Sequence, residues 1–228
     1  MKEQLQKDFD NIIKNLSLSQ RDTEIKQFYL DNFINKGFPN RRDENWKFSD
    51  LNQIIKKNIG ELSFYNDYTS TNKVDTSVFV DGLEHNKIVF INGRIEKIDF
   101  DYERKDQIEI IDKSETINRF NNNNSLSDLN NAFTNKSFKI IVKNGYQLVK
   151  PLIIYHITNS DIWSKNINLR LDFELGKDSS LRLIDLFNDT SEKNFLNIFY
   201  NFDLKENAVL KNYKVDKLEN KNIKYSFN

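Results

Sequence analysis

Carboxylates and histidines are the side chains here that could carry acid–base or metal chemistry, because none of the 228 residues is cysteine. The chain itself therefore supplies no disulfide, no thiolate nucleophile and no thiolate ligand for zinc or an iron–sulfur cluster. Asp185, Asp189 and Glu192 stand close together near the predicted end of a strand. Two carboxylates flanking one bond could act as a glycosidase or lyase pair, although solvated turn residues are the commoner use of such groups.

Two histidines, His85 and His156, complete the set of candidate groups. Imidazole is a common metal ligand, but strand alternation places His156 on the same face as Leu152 and Ile154. A lone histidine on an apolar face is more often a hydrogen-bonded structural residue. We therefore predict no catalytic residue and no metal-ligating residue in this chain.

Sequence motifs and charge favour neither the common hydrolases nor a nucleic-acid or membrane partner. No G-x-x-x-x-G-K-[ST], G-x-S-x-G or H-E-x-x-H pattern occurs, so nucleotide hydrolysis and the familiar hydrolase chemistries lack support. The 34 basic residues balance 34 acidic ones, which leaves no overall field to attract nucleic acid or an anionic membrane. Residues 1–16 lack the apolar core of a signal peptide, and no run approaches the ~18 apolar residues of a membrane span. The sequence predicts a cytoplasmic protein.

The elements that must position the candidate groups are strands, because one apolar pattern recurs three times between Phe138 and Tyr213. Alternation of apolar with polar residues is typical of strands, and a period of roughly 20 to 50 residues is typical of stacked repeats. This favours a stacked β-helix, with a pair of hairpins in a sandwich as the alternative. The copies are Ile140, Val142 and Leu148, then Phe173, Leu175 and Leu181, then Phe202, Leu204 and Leu210, at offsets of 33 and 29 residues.

Residues 1–60 have the 3.6-residue apolar period of amphipathic helices. We expect one helix to end near Ser17, a second to run from the cap Ser19 to Gly37, and a third to start after Ser49 or Asp50.

The middle of the chain combines a hairpin with short helices. Asn92-Gly93 between apolar runs is a strong signal for a type I′ hairpin turn, Ser114 can cap a brief helix, and a last helix is expected at residues 127–133. The sequence thus predicts an α+β protein in three parts: a helical domain at 1–62, a linker with a β-hairpin and short helices at 63–136, and a β-helix at 137–228.

One segment between the second and third predicted helices, GFPNRRDENWKFSDL at 37–51, resembles the hallmark of a known family. Members of the SufD family of iron–sulfur cluster assembly proteins tend to read G-L-P-T-R-R-D-E-x-W-K-Y-T-D-L here, so Asn40 and Phe48 are mild departures. The chain stops at Asn228, where family members are about half complete, so we expect the family's C-terminal half to be missing. The likeness continues in family order through IVFINGR at 88–94, LNNA at 129–132, KPLIIYHIT at 150–158, and the segments 166–185 and 195–213.

The resemblance implies a right-handed parallel β-helix behind an N-terminal helical domain, in agreement with the repeat pattern. It also implies a non-catalytic scaffold that pairs with a SufB-like subunit and a SufC-like ABC-type ATPase. Any iron–sulfur cluster or flavin would be handled by the assembled complex and not by this chain alone. The family's cluster-assembly residues lie in the half not present, so no catalytic or metal residue is carried over. The alternatives are a stand-alone β-helix enzyme or binding module acting on polysaccharide, and a partner-binding fragment.

Four residues of the motif, Arg41, Arg42, Glu44 and Trp46, have two interpretations. Arginine forks and an exposed tryptophan are common at protein interfaces. We favour internal architecture, in which Trp46 packs between the helical and β parts while Glu44 pairs with an arginine.

An apolar alternation continues to the end of the chain through Val215, Leu218, Ile223, Tyr225 and Phe227, without a charged closing segment. A stacked β structure exposes its apolar interior and a strand edge unless a polar segment caps it. We therefore expect an uncapped apolar end that favours self-association.

Since iron–sulfur clusters are normally held by thiolates, we predict that the purified chain binds neither iron nor a cluster. Anaerobic reconstitution with ferrous iron and sulfide, followed by desalting, should leave the protein colourless. A stoichiometric chromophore retained by the chain alone would contradict the prediction.

Overall fold

The computed structural model describes residues 2–64, 76–113, 124–135, 137–159, 162–189, 193–216 and 222–227. They form an α+β protein with four α-helices and ten strands. The helix predicted at Ser114 lies outside the described residues. The helices are α1 (Lys2–Asn15), α2 (Gln20–Lys36), α3 (Leu51–Asn58) and α4 (Ser125–Phe133). The strands are β1 (Asn86–Ile91), β2 (Arg94–Asp99), β3 (Ile108–Lys113), β4 (Ser137–Val142), β5 (Leu152–Thr158), β6 (Asn166–Leu175), β7 (Ser180–Asp189), β8 (Phe195–Leu204), β9 (Val209–Asp216) and β10 (Ile223–Phe227).

Local capping signals set the helix ends. The Ser19 hydroxyl accepts a hydrogen bond from the Asp22 N–H at 3.1 Å, and α2 ends at Gly37, whose φ is 72°. The Asp50 side chain caps α3 as predicted. The start of α4 lies slightly before the predicted position because Asn124 caps it. Among the described helices, none is long and apolar enough to cross a membrane.

Two sheets share the strands. Sheet I has the order β2-β1-β5-β7-β9, and sheet II has the order β3-β4-β6-β8-β10. From β5 onward each strand lies in the other sheet from the strand before it. Strand β5 pairs in parallel with β1, and each of β6 to β10 pairs in parallel with the strand two before it. Antiparallel pairing adds β2 to β1 and β3 to β4 at one end. The inward faces of the two sheets enclose one apolar core.

The repeated apolar residues of the sequence are neighbours in this arrangement. Ile140 pairs with Phe173 and Phe173 with Phe202 along sheet II, while Leu181 pairs with Leu210 in sheet I. The offsets of 33 and 29 residues are therefore the lengths of successive circuits of the chain through both sheets.

The predicted hairpin is confirmed between β1 and β2. Asn92 and Gly93 have φ of 52° and 81°, the positive values that a type I′ turn requires. A Cβ atom at Gly93 would lie 2.6 Å from Cγ2 of Ile167, so packing as well as backbone conformation favours glycine there.

A helical layer covers the outer face of sheet II and has its own apolar core. Helix α4, from the middle of the chain, is the part of this layer that lies directly against sheet II. The side chain of Asn130 donates to the carbonyl oxygens of Leu169 at 3.1 Å and Asn197 at 2.8 Å, and Asn197 donates to the carbonyl oxygen of Leu126 at 2.8 Å. The helical layer thus draws on residues beyond 1–62.

Polar side chains point inward at the β9–β10 end, contrary to the expected apolar end. Asp216 pairs across strands with Phe187, a core residue, and Lys224 and Ser226 likewise pair with inward residues of β8. The Lys224 ammonium lies 5.1 Å from the Phe187 ring centroid and 2.5 Å from the Asp216 carboxylate. The inward position before Asp216 is Lys214.

The apolar residues at the end of β9 and in β10 point away from the core, on the opposite faces of their strands from the inward polar residues. Ile223 and Tyr225 pack against the helical layer, and Val215 is 49% exposed on the outer face of sheet I. Leu218 and the side chain of Phe227 lie outside the described part. The terminal alternation therefore does not line the interior, as was expected, but the apolar column still ends partly open, since the inward residue Leu204 is 45% exposed.

Lys26 of α2 closes the C-terminus of α4. Its ammonium donates to the carbonyl oxygens of Asn131 at 3.2 Å and Thr134 at 2.6 Å, where the helix dipole favours a cation. Burial lowers the pKa of Lys26 to about 8, and the charge of Asp22 opposes this shift.

We predict that Lys26 makes stability rise with pH above neutrality. Between a folded-state pKa of about 8 and the ordinary value of 10.5, the unfolded chain binds more protons at this site, so its titration raises the free energy of unfolding as pH increases. The gain is at most about 1.4 kcal/mol per pH unit. Urea unfolding at about pH 8 and about pH 10 measures the free energy of unfolding of wild type and of Lys26→Met. The stability of wild type relative to Lys26→Met should be greater at the higher pH. Lys14→Met, at an exposed position of α1, is the control; an equal shift in both variants would contradict the assignment.

Candidate functional site

A polar cluster of His156, Asp185 and Tyr200 lies in the core between the two sheets. His156 on β5 and Asp185 on β7 come from sheet I, whereas Tyr200 on β8 comes from sheet II. Their exposed fractions are 3%, 0% and 0%. The structure thus joins two groups that sequence analysis singled out separately.

One carboxylate oxygen organises the cluster. The Tyr200 hydroxyl donates to Oδ1 of Asp185 at 2.5 Å. The His156 Nε2 atom lies 3.1 Å from the same Oδ1 and 3.2 Å from the Tyr200 oxygen. Because a carboxylate only accepts, His156 donates its Nε2 hydrogen here. Within the described residues, Oδ2 of Asp185 has no hydrogen-bond partner.

Neighbouring groups fix the geometry of the cluster and keep the Tyr200 hydroxyl protonated. Burial, the charge of Asp185 and its hydrogen bond all raise the pKa of Tyr200 well above its ordinary value, so the phenol remains a donor. The imidazole of His156 stacks between the rings of Phe90, at 5.8 Å, and Phe187, at 4.7 Å. The Lys214 ammonium lies 5.1 Å from the centroid of the Tyr200 ring.

The cluster is closed to substrates. A cavity of about 10 Å³ lies beside His156, lined by Phe90, Gly93 and aliphatic side chains of β6 and β8. This is about the minimum that one water molecule needs. The three groups hydrogen-bond to each other, and their main physical effect is to join sheet I to sheet II across the core.

The carboxylate pair considered from the sequence lies mostly outside the described part of the structure. The side chain of Asp189, and all of Glu192, lie outside the described residues. Asp185 is fully buried, so its interpretation as a solvated turn residue is wrong. In the described part of the chain, no group of three or more His, Cys, Asp or Glu side chains is arranged to hold a metal ion.

The second histidine lies on the opposite face of sheet I. His85 contacts the Tyr155 hydroxyl through Nε2 at 2.7 Å and the Leu83 carbonyl oxygen through Nδ1 at 2.6 Å. The same hydroxyl accepts a hydrogen bond from the Val80 N–H at 3.0 Å. Burial lowers the pKa of His85, which favours the neutral ring. Both histidines are buried and hydrogen-bonded, which was predicted for His156.

The motif at residues 37–51 forms an ordered surface connection between α2 and α3. The Asp43 carboxylate accepts a hydrogen bond from the Asn40 N–H at 2.8 Å, and Asn40 accepts one from the Arg42 N–H at 3.0 Å. A short 3-10 turn, Glu44–Trp46, follows. This segment therefore has one defined backbone conformation at the surface.

The motif residues divide between packing and exposure. Trp46 is half-buried against the helical layer, and its ring lies 5.8 Å from that of Tyr225 on β10; it thus joins the helical and β parts. Arg41, Arg42 and Glu44 are exposed, and the described ion pairs include none between Glu44 and an arginine. The exposed fraction of Phe48 is 94%.

Comparison of the sequence with protein-family models gives no match, and comparison with curated proteins gives none either.

Sequence analysis missed Tyr200, although a signal for it exists. In the repeat, Tyr200 occupies the position of Leu171, its cross-strand partner, and both lie two residues before a conspicuous phenylalanine. A hydroxyl-bearing ring in an otherwise apolar inward column requires a polar partner inside. Asp185 and His156 supply that partner from the opposite sheet.

We predict that Tyr200→Phe lowers the free energy of unfolding by about 1 to 3 kcal/mol, since it leaves a buried carboxylate without its shortest donor. Urea unfolding will measure the loss. Tyr213→Phe is the matched control, because Tyr213 is 56% exposed on β9 and should change stability by less than about 0.5 kcal/mol. Equal stability of Tyr200→Phe and wild type would contradict a joining role for the cluster.

Proposed function

We propose that this chain belongs to a non-catalytic, SufD-like scaffold subunit of a cytoplasmic iron–sulfur cluster assembly complex. Strands β4 to β10 are then successive rungs of a right-handed parallel β-helix. Its partners are a SufB-like subunit and a SufC-like ABC-type ATPase. Cluster and flavin handling belong to the assembled complex.

The solenoid part of this proposal is supported by strand order. Each strand after β4 lies in the other sheet from its predecessor, and the repeats stack in direct register. A coil of this kind has a right-handed course because parallel crossover connections are almost always right-handed.

The scaffold part is carried by one observation: the segment that bears the SufD resemblance is ordered, anchored and exposed. Trp46 fastens the segment to the helical layer and β10, while Phe48, Arg41 and Arg42 face solvent. Aromatic and arginine side chains are frequent anchors of protein interfaces. The polar cluster of the core, by contrast, is enclosed. Exposed recognition groups and enclosed titratable groups fit a partner-binding subunit better than an enzyme.

A polysaccharide-binding module is the second candidate, and one groove favours it. This groove has a volume of about 360 Å³, runs beside the stacked turns before β7 and β9, and contains several polar residues, among them Asp178, Ser180, Arg182, Asn207 and Lys211. None of its described lining residues is aromatic, so it has no ring on which a sugar could stack. We therefore prefer the scaffold.

The test is an affinity tag placed at the start of the chromosomal gene, followed by purification of the gene product under native conditions. We expect a SufB-like protein and an ABC-type ATPase to co-purify in stoichiometric amounts. Recovery of neither protein would contradict the proposed function.

Variants in the same tagged gene test the exposed motif separately. Phe48→Ala should reduce recovery of the partners about tenfold, equivalent to ~1.4 kcal/mol, without lowering the melting temperature. Trp46→Ala should lower the melting temperature, since half-buried packing is lost. Val215→Ala, at a 49% exposed position on the outer face of sheet I, is the control. If Phe48→Ala still recovers both partners in full, the proposed complex is supported but this surface is not its interface.

A further inference from the structure

We propose that a groove between β2 and β3 binds an extended peptide segment of a partner protein, with alternating apolar and acidic side chains. This terminal groove is lined by residues 97–101, Arg104, Lys105, Ile108 and Ile110. It lies at the opposite end of the stacked sheets from β9 and β10. It shares no residue with the 37–51 segment, so its test is independent of the proposed function.

The floor of the terminal groove is apolar. Phe100, Ile108 and Ile110 pack against the main core from its end, and Ile98 is 47% exposed. The groove has a volume of about 370 Å³, within the ~300 to 1,000 Å³ range of ligand sites. Covering this apolar surface is favourable because it removes the side chains from water.

The two walls of the groove are strand edges. Within the described ranges, β2 pairs only with β1, and β3 pairs only with β4. An edge strand presents a row of main-chain donors and acceptors to which an extended peptide can add. Alternate side chains of such a peptide would point into the apolar floor. A compact apolar molecule would use the floor and leave the edges unpaired, so an extended peptide fits both features.

Charges at the rim favour acidic side chains on the peptide. The rim contributes Lys97, Arg104 and Lys105 against Asp99 and Asp101. Asp99 is already engaged, with Nζ of Lys97 at 3.6 Å and a second lysine, Lys87, at 3.7 Å. Arg104 pairs with the exposed Asp106 at 3.2 Å, and an exposed pair of this kind exchanges at little cost in free energy. Once Lys97 and Asp99 are counted as a pair, Arg104 and Lys105 remain against Asp101, so the lining has an excess of one positive charge.

The loop between β2 and β3 is fixed before any ligand arrives. Glu103 accepts hydrogen bonds from the Asn86 side chain at 2.7 Å, the Tyr146 hydroxyl at 2.7 Å, and the N–H groups of Val149 at 3.1 Å and Lys150 at 3.0 Å. Partial burial alone would raise the pKa of Glu103, but these hydrogen bonds together lower it. The carboxylate thus remains charged and the loop ordered, so binding loses less conformational entropy.

The test begins with a phage-displayed library of random octapeptides selected on the full chain. We expect enrichment of peptides in which apolar residues alternate with acidic ones. The most enriched peptide is then synthesised with a fluorescent label, and its affinity is measured by anisotropy. Failure to enrich any sequence, or enrichment of basic or helically spaced sequences, would overturn the proposal.

Two controls locate the site and the binding mode. Ile98→Glu should weaken peptide binding at least about tenfold, whereas Val209→Glu, at a 50% exposed position on β9, should leave it unchanged. A peptide N-methylated at alternate residues loses main-chain donors and should also bind at least about tenfold more weakly. Equal binding by Ile98→Glu would show that the peptide lies elsewhere, and equal binding by the N-methylated peptide would rule out strand addition.

Discussion

Direct register between strands of successive circuits is the constraint on which this structure depends. Because a strand alternates its side chains between two faces, a slip of one residue would exchange the core face for the solvent face. The pairing of Ile140 with Phe173 and of Phe173 with Phe202 keeps inward residues on inward residues. The buried hydrogen bonds among His156, Asp185 and Tyr200 add specificity, since they form only when both sheets have this register. The apolar columns favour stacking, and the polar cluster favours one alignment of it.

The helical layer is attached by polar contacts as well as by apolar packing. Asn130 and Asn197 connect α4 to sheet II through main-chain carbonyl groups, and Lys26 connects α2 to the C-terminus of α4. Such bonds are directional, so they fix the orientation of a helix that apolar contact alone would leave adjustable. Trp46 then links the exposed motif segment to β10. The surface that we propose for partner binding is thereby coupled to the position of the last described strand.

The two ends of the stacked sheets have different chemistry. At the β9–β10 end, Lys214, Asp216 and Lys224 turn charge toward the core beside the last apolar residues of the column. At the β2–β3 end, antiparallel strands leave an apolar floor between two edges. The two ends therefore present chemically different surfaces to solvent.

The sequence by itself determined the local elements and the repeat. Ser19, Asp50 and Asn92-Gly93 act through contacts within a few residues, so caps and hairpin were predictable, and the 33- and 29-residue offsets follow from a periodic pattern. Tertiary structure alone decided the rest, because it depends on which strands meet. The phase of Ile223 and Tyr225 and the contact between His156 and Asp185 are set by pairing across tens of residues. Tyr200 lies on the other sheet from both partners, so the repeat could place it in the core but could not identify His156 and Asp185 as its partners.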